Sequence, residues 1–533
     1  MSYKHFGVML DCSRNAVMKV SEVKNMIDLL SKMGYNTLEL YTEDTFKIED
    51  EPYFGYMRGG YSAEEIKEID AYAKTKGVEL IPCIQTLAHF TNLVKLRHYK
   101  NIVDVNDILL IDEEKTYELI EKMFKTLRQN FTSNLVNIGM DEAHMVGLGK
   151  FLDKHGYQNR FDILLRHLNR VVEIASKYGF TPHMWSDMFF RLVNHGEYYG
   201  ENIVIPSDVV DKMPKNLDLV YWDYYHSYKL YYDEMFKSHL KTGKNIWFAG
   251  GGWTWNGFAP LNKYTQQTMK SAMLSIKEHG IENVLITMWG DDGKECSFYS
   301  LLPSLYAIKC YADGVVNEEE IKSGFYKIFG VSYDDFMLLD IPNKTKGAKE
   351  FDYEPIPSKS LLYSDPFMNS NDAFGIEAYD MNYEEYANIL KDASLRAGEF
   401  AYIFETLASL CKVLTIKATL SFRTRTAYKQ GDKKELEKIV AEYDILDGLY
   451  KDFQQKFYEL WHKENKPFGF EIHDVRLGGI VMRAKTCKGR IQAYLNGEIQ
   501  KIEELEVEPL KLTSLPFESH LYKRAVSTSE LIY

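Results

Sequence analysis

Cysteine is scarce and scattered in this chain, with six residues at positions 12, 83, 296, 310, 411 and 487 and no two at Cys-x-x-Cys spacing. That pattern indicates neither a zinc site nor a redox motif. In a chain of 533 residues it describes the buried, reduced thiols of a cytoplasmic protein. Positive charge is in deficit, 64 Lys+Arg against 77 Asp+Glu. The resulting net charge of −13 argues against nucleic acid or an anionic membrane as a partner. No apolar run approaches the ~18 residues that a membrane span needs. The start, Met1-Ser2-Tyr3-Lys4-His5-Phe6-Gly7, lacks the basic and apolar regions of a signal peptide. A Gly-rich phosphate loop is missing as well, since the first apolar run ends in Leu10-Asp11-Cys12-Ser13-Arg14. With no close His/Asp ligand cluster either, the sequence asks for no cofactor and no metal.

What the chain has in excess is aromatic side chains: 38 Tyr, 29 Phe and 7 Trp. Such rings suit large cores, interfaces and sugar-stacking pockets, so the count by itself does not choose among them. Order along the chain says more. From residue 5 onward short apolar runs alternate with helical patterns. The runs begin at Phe6, Thr37, Val78, Asn134, Thr181, Leu217, Asn245 and Asn283. The spacing predicts helices from about Ser21 to a stop at Gly34, from Ser62 with Glu65 in capping-box register, and around Tyr117–Leu127. It predicts further helices over about 160–178, 228–241, 261–279 and 297–312. Only the helix after the fifth run is poorly defined, near Ser207. Eight strand-then-helix units in about 310 residues predict an α/β fold, a closed (β/α)8 TIM barrel, over a doubly wound open sheet.

Beyond about residue 320 the texture changes. The expected division is a barrel over 1–325 and a linker or irregular segment over 326–382, rich in motifs such as Glu354-Pro355-Ile356-Pro357. A mainly α-helical region over 383–533 follows. Its long helices suit homodimerisation as well as they suit a packing role.

In such barrels the active site lies at the C-terminal ends of the strands. The first run ends in Asp11 and Arg14, the second in Glu43 and Asp44, and His89 follows the third. The fourth, Asn134-Leu135-Val136-Asn137-Ile138-Gly139-Met140, ends in Asp141-Glu142. Trp185 and Asp187 close the fifth. Tyr221, Trp222 and Asp223 end the sixth, Trp253 and Trp255 follow the seventh, and Trp289, Asp291 and Asp292 follow the eighth. Taken alone, Asp141-Glu142 reads as a solvated strand end, because acidic dipeptides recur in this chain. Carboxylates mixed with tryptophans, without a phosphate cradle, instead point to a neutral polyhydroxylated substrate such as a sugar.

The set resembles glycoside hydrolase family 20, the β-N-acetylhexosaminidases, in its short form without an extra N-terminal domain. The likeness runs over about residues 5–295. The family's adjacent Asp-Glu pair is matched by Asp141-Glu142, its Asp-x-x-Arg by Asp11-Cys12-Ser13-Arg14, and its Tyr-x-Asp by Tyr221-Trp222-Asp223. Its Trp-x-Glu becomes Trp289-Gly290-Asp291, a shorter acid, and its Pro-Gly-His becomes Leu87-Ala88-His89. Where the family carries histidines on strand two, Glu39 and Tyr41 stand here, ahead of Asp44.

That resemblance implies an exo-acting enzyme on oligosaccharides or glycoconjugates ending in N-acetylglucosamine or N-acetylgalactosamine. It also implies retaining hydrolysis in which the substrate's own acetamido group is the nucleophile. Glu142 is then the general acid and base, Asp141 holds the acetamido N–H, and Tyr221 bonds the attacking carbonyl oxygen. Arg14, Asp223 and Asp291 bind hydroxyls. Trp185, Trp253 and Trp289 wall the pocket, with Trp255 competing for the place of Trp253. Asp44 and His89 form a pair behind Glu142. Two other readings of the residues stay open: a glycosidase using two separate carboxylates, such as Glu142 with Asp223 or Asp291, and a sugar-binding protein without turnover.

Overall fold

The computed structural model describes residues 2–345 and 356–517. Eight parallel strands close into a barrel: β1 (His5–Asp11), β2 (Thr37–Tyr41), β3 (Glu79–Cys83), β4 (Leu135–Asn137), β5 (Thr181–Trp185), β6 (Asp218–Asp223), β7 (Ile246–Gly251) and β8 (Asn283–Met288). Each pairs with its sequence neighbours and β1 closes on β8, with Val8 opposite Ile286 on one side and Leu38 on the other. Buried on both faces, the strands read as near-continuous apolar runs, as parallel strands wrapped by helices must.

The wrapping helices follow the periodicity. They are α1 (Val20–Met33), α2 (Ala63–Thr75), α3 (Glu114–Asn130), α4 (Arg160–Lys177), α5 (Asp187–Val193), α6 (Ser207–Lys212), α7 (Lys229–Leu240), α8 (Asn262–His279) and α9 (Leu302–Ala312). Helix α1 ends at Gly34 in the left-handed conformation. Helix α2 opens with a reciprocal capping box, Ser62 accepting from the Glu65 backbone and Glu65 from that of Ser62. The weak pattern near Ser207 becomes the six-residue α6. Between β3 and α3 lies a small antiparallel hairpin, Val103–Val105 with Ile108–Leu109, in what reads from sequence as a plain loop.

Inside the barrel, His183 on β5 bonds Glu39 on β2 at 2.7 Å and stacks on Trp247 of β7 at 4.5 Å. All three are fully buried. The pair is a buried polar plug beneath the strand ends, joined through His183 Nε2, and it occupies the position where Glu39 departs from the family pattern.

The C-terminal helices are α10 (Pro357–Tyr363), α11 (Tyr383–Ser394), α12 (Ala401–Gln430), α13 (Lys433–Glu464) and α14 (Phe470–Leu495). Helices α11 and α12 are separated after Ser394 by a turn at Gly398, whose φ is +54°. The described part of 326–382 holds α10 and several short turns of helix. Residues 346–355, including Glu354-Pro355, and residues 518–533 lie outside the described part. The helices dock on the barrel at the mouth: the backbone of Lys466 bonds Val17, and Phe258 packs edge-on against Phe453 and Phe457.

Candidate active site

A pocket of about 540 Å³ of unfilled space opens at the C-terminal end of the barrel. Its polar lining is Arg14, His89, Asp141, Glu142 and Asp291, and its walls are Trp185, Trp222, Tyr224, Tyr225, Trp255 and Trp289. Of the residues singled out from sequence, Arg14, His89, Asp141, Glu142, Trp185, Trp289 and Asp291 therefore meet around one cavity.

The loop carrying the acidic pair is tightly kinked. Gly139, Met140 and Glu142 all have positive φ, +72°, +72° and +53°. Left-handed backbone at non-glycine residues costs on the order of 1–3 kcal/mol each and persists only where the surroundings impose it. Side chains from the end of β4, from the loop after β3 and from the start of α5 impose it here. Asn137 accepts from the Gly139 N–H, Gln85 Oε1 from the Met140 N–H, and Asp187 Oδ2 from the Glu142 N–H at 3.0 Å. At Gly139 a Cβ would meet Gln85 Oε1 at 2.1 Å, so only glycine lets Gln85 reach the loop.

Asp141 and Glu142 sit in different surroundings. Asp141 is buried and accepts from Gln85 Nε2 at 2.7 Å, with His89 Nε2 at 3.1 Å. Burial alone would raise its carboxyl; the charge and hydrogen bond of His89 and the Gln85 bond outweigh burial and hold it below the ordinary value. Seen from the other partner, burial pulls His89 down but Asp141 lifts it from 6.5 to about 9. The Glu142 side chain keeps 43% of its surface open, with its carboxylate 3.8 Å from His89 and 3.9 Å from Arg191. One acid is clamped as an anion; the other faces the cavity.

Across the pocket, Arg14 is set by two acids, Glu43 at 3.1 Å and Asp291 at 3.2 Å, and lies 5.7 Å from the Trp289 ring centre. Asp11 joins the two loops, accepting from the Ser13 and Arg14 backbone with one oxygen and from Gly290 N–H with the other. The Asp291 side chain is 40% exposed. Desolvation against the pocket wall, reinforced by Asp11 and Asp292 and opposed by Arg14, raises its carboxyl to about 6.

Four residues expected at the site lie off it. Tyr221 is fully buried between β6 and its covering helix, against Phe236 and His239, and donates to Asp223 at 2.7 Å. Asp223 is spent on that hydroxyl, on His226 Nδ1 at 2.8 Å and on the Tyr225 N–H. The reason is strand alternation: residues one apart face opposite sides, so reading the motif as Tyr221-x-Asp223 selects the helix-facing side. The pocket-facing side carries Trp222 and then Tyr224, whose hydroxyl accepts from Trp289 Nε1 at 3.0 Å. Trp253 stands behind Trp255, stacked on it at 4.3 Å with its indole N–H on the Tyr224 carbonyl, so Trp255 takes the wall position. Asp44 does not pair with His89; it is buried in an ion pair with Arg58 at 3.1 Å, and the strand-two acid that reaches Arg14 is Glu43.

Residues 3–225 match the model of the glycosyl hydrolase family 20 catalytic domain, and residues 334–521 match that of the glycoside hydrolase 20C C-terminal domain. Hexosaminidase D of Bos taurus is 26% identical over 227 residues, covering 40% of this chain and 60% of that protein. Hexosaminidase D of Homo sapiens is 26% identical over 222 residues, covering 40% and 43%. The chain thus spans at most 60% of the length of these two relatives. An exo-β-N-acetylglucosaminidase from Vibrio harveyi, solved with N-acetylglucosamine, overlays with a TM-score of 0.47 at 15% identity, covering 62% of this chain and 58% of that one. With strands β1 to β6 of the barrel matched by the family's catalytic model and the later helices by the companion C-terminal model, the chain belongs to glycoside hydrolase family 20.

Proposed function

We propose that the protein is an exo-β-N-acetylhexosaminidase that removes terminal, non-reducing, β-linked N-acetylglucosamine, N-acetylgalactosamine or both by substrate-assisted retaining hydrolysis. The observation that carries this reading is the division of labour in the acidic pair. Asp141 is held anionic by His89 and Gln85, while Glu142 next to it opens on an indole-walled pocket. A lone anchored carboxylate suits an acetamido N–H and the positive charge that develops on it. An accessible neighbour suits proton delivery to the glycosidic oxygen and, later, proton removal from water.

The substrate's acetamido oxygen attacks the anomeric carbon and gives an oxazoline, so no enzyme nucleophile is needed. Tyr224 is the hydroxyl we assign to that carbonyl oxygen. It lines the pocket, and its hydroxyl is placed by Trp289 Nε1, which donates to it, and by the neighbouring Thr287 side chain. Trp185, Trp222 and Trp289 enclose the acetamido group and the sugar face, and Arg14 with Asp291 binds hydroxyls at the closed end of the pocket. The six cysteines, all buried and unpaired, support a cytoplasmic setting. Among the described residues no helix is long and apolar enough to cross a membrane.

The test is turnover of 4-nitrophenyl N-acetyl-β-glucosaminide and of its galactosaminide by the pure protein, with inhibition by a thiazoline mimic of the oxazoline. Glu142→Gln should lower kcat by about 10²- to 10⁴-fold, the usual worth of a general acid. Absence of both turnover and thiazoline binding would refute the reading.

A further inference from the structure

We propose that Asp187 is a positioning residue for the general acid, fixing the backbone conformation that aims Glu142 into the pocket; this rests on the proposed glycosidase reading. Asp187 is the first residue of α5, directly after Trp185-Ser186, and its side chain is fully buried. One oxygen, Oδ2, accepts from the Glu142 N–H at 3.0 Å and from Arg191 Nε at 3.2 Å. The other, Oδ1, has no hydrogen-bonding partner among the described residues. Glu142 is the residue whose φ of +53° must be imposed from outside, and this hydrogen bond is the side-chain anchor on its own backbone. Gln85 and Asn137 hold the loop upstream, at Met140 and Gly139, so neither replaces Asp187.

A buried carboxylate beside an anionic Asp141 is a costly anchor, and the cost shows in its titration. Burial, reinforced by Asp141, raises the Asp187 carboxyl to about 7. The charged groups facing it are Asp141 and Glu142 from the fourth-strand loop and Arg191 from its own helix, with the Tyr198 hydroxyl as a further titratable neighbour. Protonation leaves the carbonyl oxygen able to accept from Glu142 but removes the charge opposite Arg191. An asparagine can keep the first bond; an alanine keeps neither.

The experiment compares Asp187→Asn and Asp187→Ala on aryl N-acetyl-β-glucosaminides with good and poor leaving groups. A displaced acid matters most where the leaving group needs its proton. Asp187→Ala should therefore lose about 30- to 100-fold in kcat on the poor leaving group and under about 5-fold on 4-nitrophenyl, with KM nearly unchanged. Asp187→Asn should stay within about 10-fold of the parent on both and lose any inflection near pH 7. Equal losses on both leaving groups, or identical behaviour of the two variants, would overturn the proposal. A crystal structure of Asp187→Ala decides the point independently of turnover. A Glu142 that leaves the left-handed region supports the assignment, and an unmoved Glu142 sinks it, even if the parent protein cleaves no hexosaminide.

Discussion

At the scale of single residues, the site divides into what composition at strand ends can reveal and what only the register can. Asp141, Glu142, Arg14, His89, Trp289 and Asp291 come to line one cavity because each stands at or shortly after the end of an apolar run, and strand ends in a barrel converge. Tyr221 and Asp223 were misread because sequence locates a strand without saying which of its alternating faces looks inward. Trp222 and Tyr224 follow from the same alternation once the inward face is anchored on Val220. This yields a direct contrast. Tyr224→Phe should lower kcat by about 10- to 100-fold by removing a donor to the developing charge. Tyr221→Phe should leave kcat within about threefold and lower the melting temperature, since it strips a buried Asp223 of a partner. The reverse pattern in steady-state kinetics would restore Tyr221 to the site. The His89–Asp141 contact also predicts a pH dependence of stability. His89 is raised from 6.5 to about 9 in the folded state, so its contribution is complete below pH 6.5 and is lost as pH rises through about 9. Urea unfolding should therefore show stability falling across that window in the parent, and a shallower fall in His89→Gln.

At the scale of elements, the eight strand–helix units followed from periodicity and caps, because Ser62, Glu65 and Gly34 carry the local chemistry that starts or stops a helix. What periodicity does not encode is how the later helices grip the site. The loop after β8 runs Trp289-Gly290-Asp291-Asp292-Gly293-Lys294-Glu295, and Glu295 is buried in ion pairs with Lys359 of α10 at 2.7 Å and Arg476 of α14 at 3.0 Å. His473 of α14 bonds the Gly293 carbonyl, and Asn15, next to Arg14, bonds the carbonyls of both Gly293 and Gly469. Gly469 has to be glycine there: its φ is +100° and a Cβ would meet Asn15 O at 2.7 Å. Helices α10 and α14 thus clamp the two loops that carry Arg14 and Asp291. Glu295→Ala would strand two buried cations, at a cost of about 3–5 kcal/mol. A drop in melting temperature together with a raised KM is expected; unchanged KM in the folded variant would mean that the clamp does not govern the loops that carry Arg14 and Asp291.

At the scale of the whole molecule, barrel and helical region act as one device, with the pocket at the strand ends and the helices bracing its rim. Patterning along the chain was enough to find the barrel. The bracing stayed hidden because its contacts join residues hundreds of positions apart, such as Asn15 with Gly469. The central claim is that the substrate's acetamido group performs the nucleophilic step under the guidance of Asp141. It is tested most directly by the ratio of kcat/KM for 4-nitrophenyl N-acetyl-β-glucosaminide to that for 4-nitrophenyl β-glucoside, which differs in having a hydroxyl in place of the acetamido group. A ratio of at least about 10³ is expected, since the intramolecular nucleophile is lost with the acetamido group. Comparable values for the two substrates would contradict the account and point to a second enzyme carboxylate as the nucleophile.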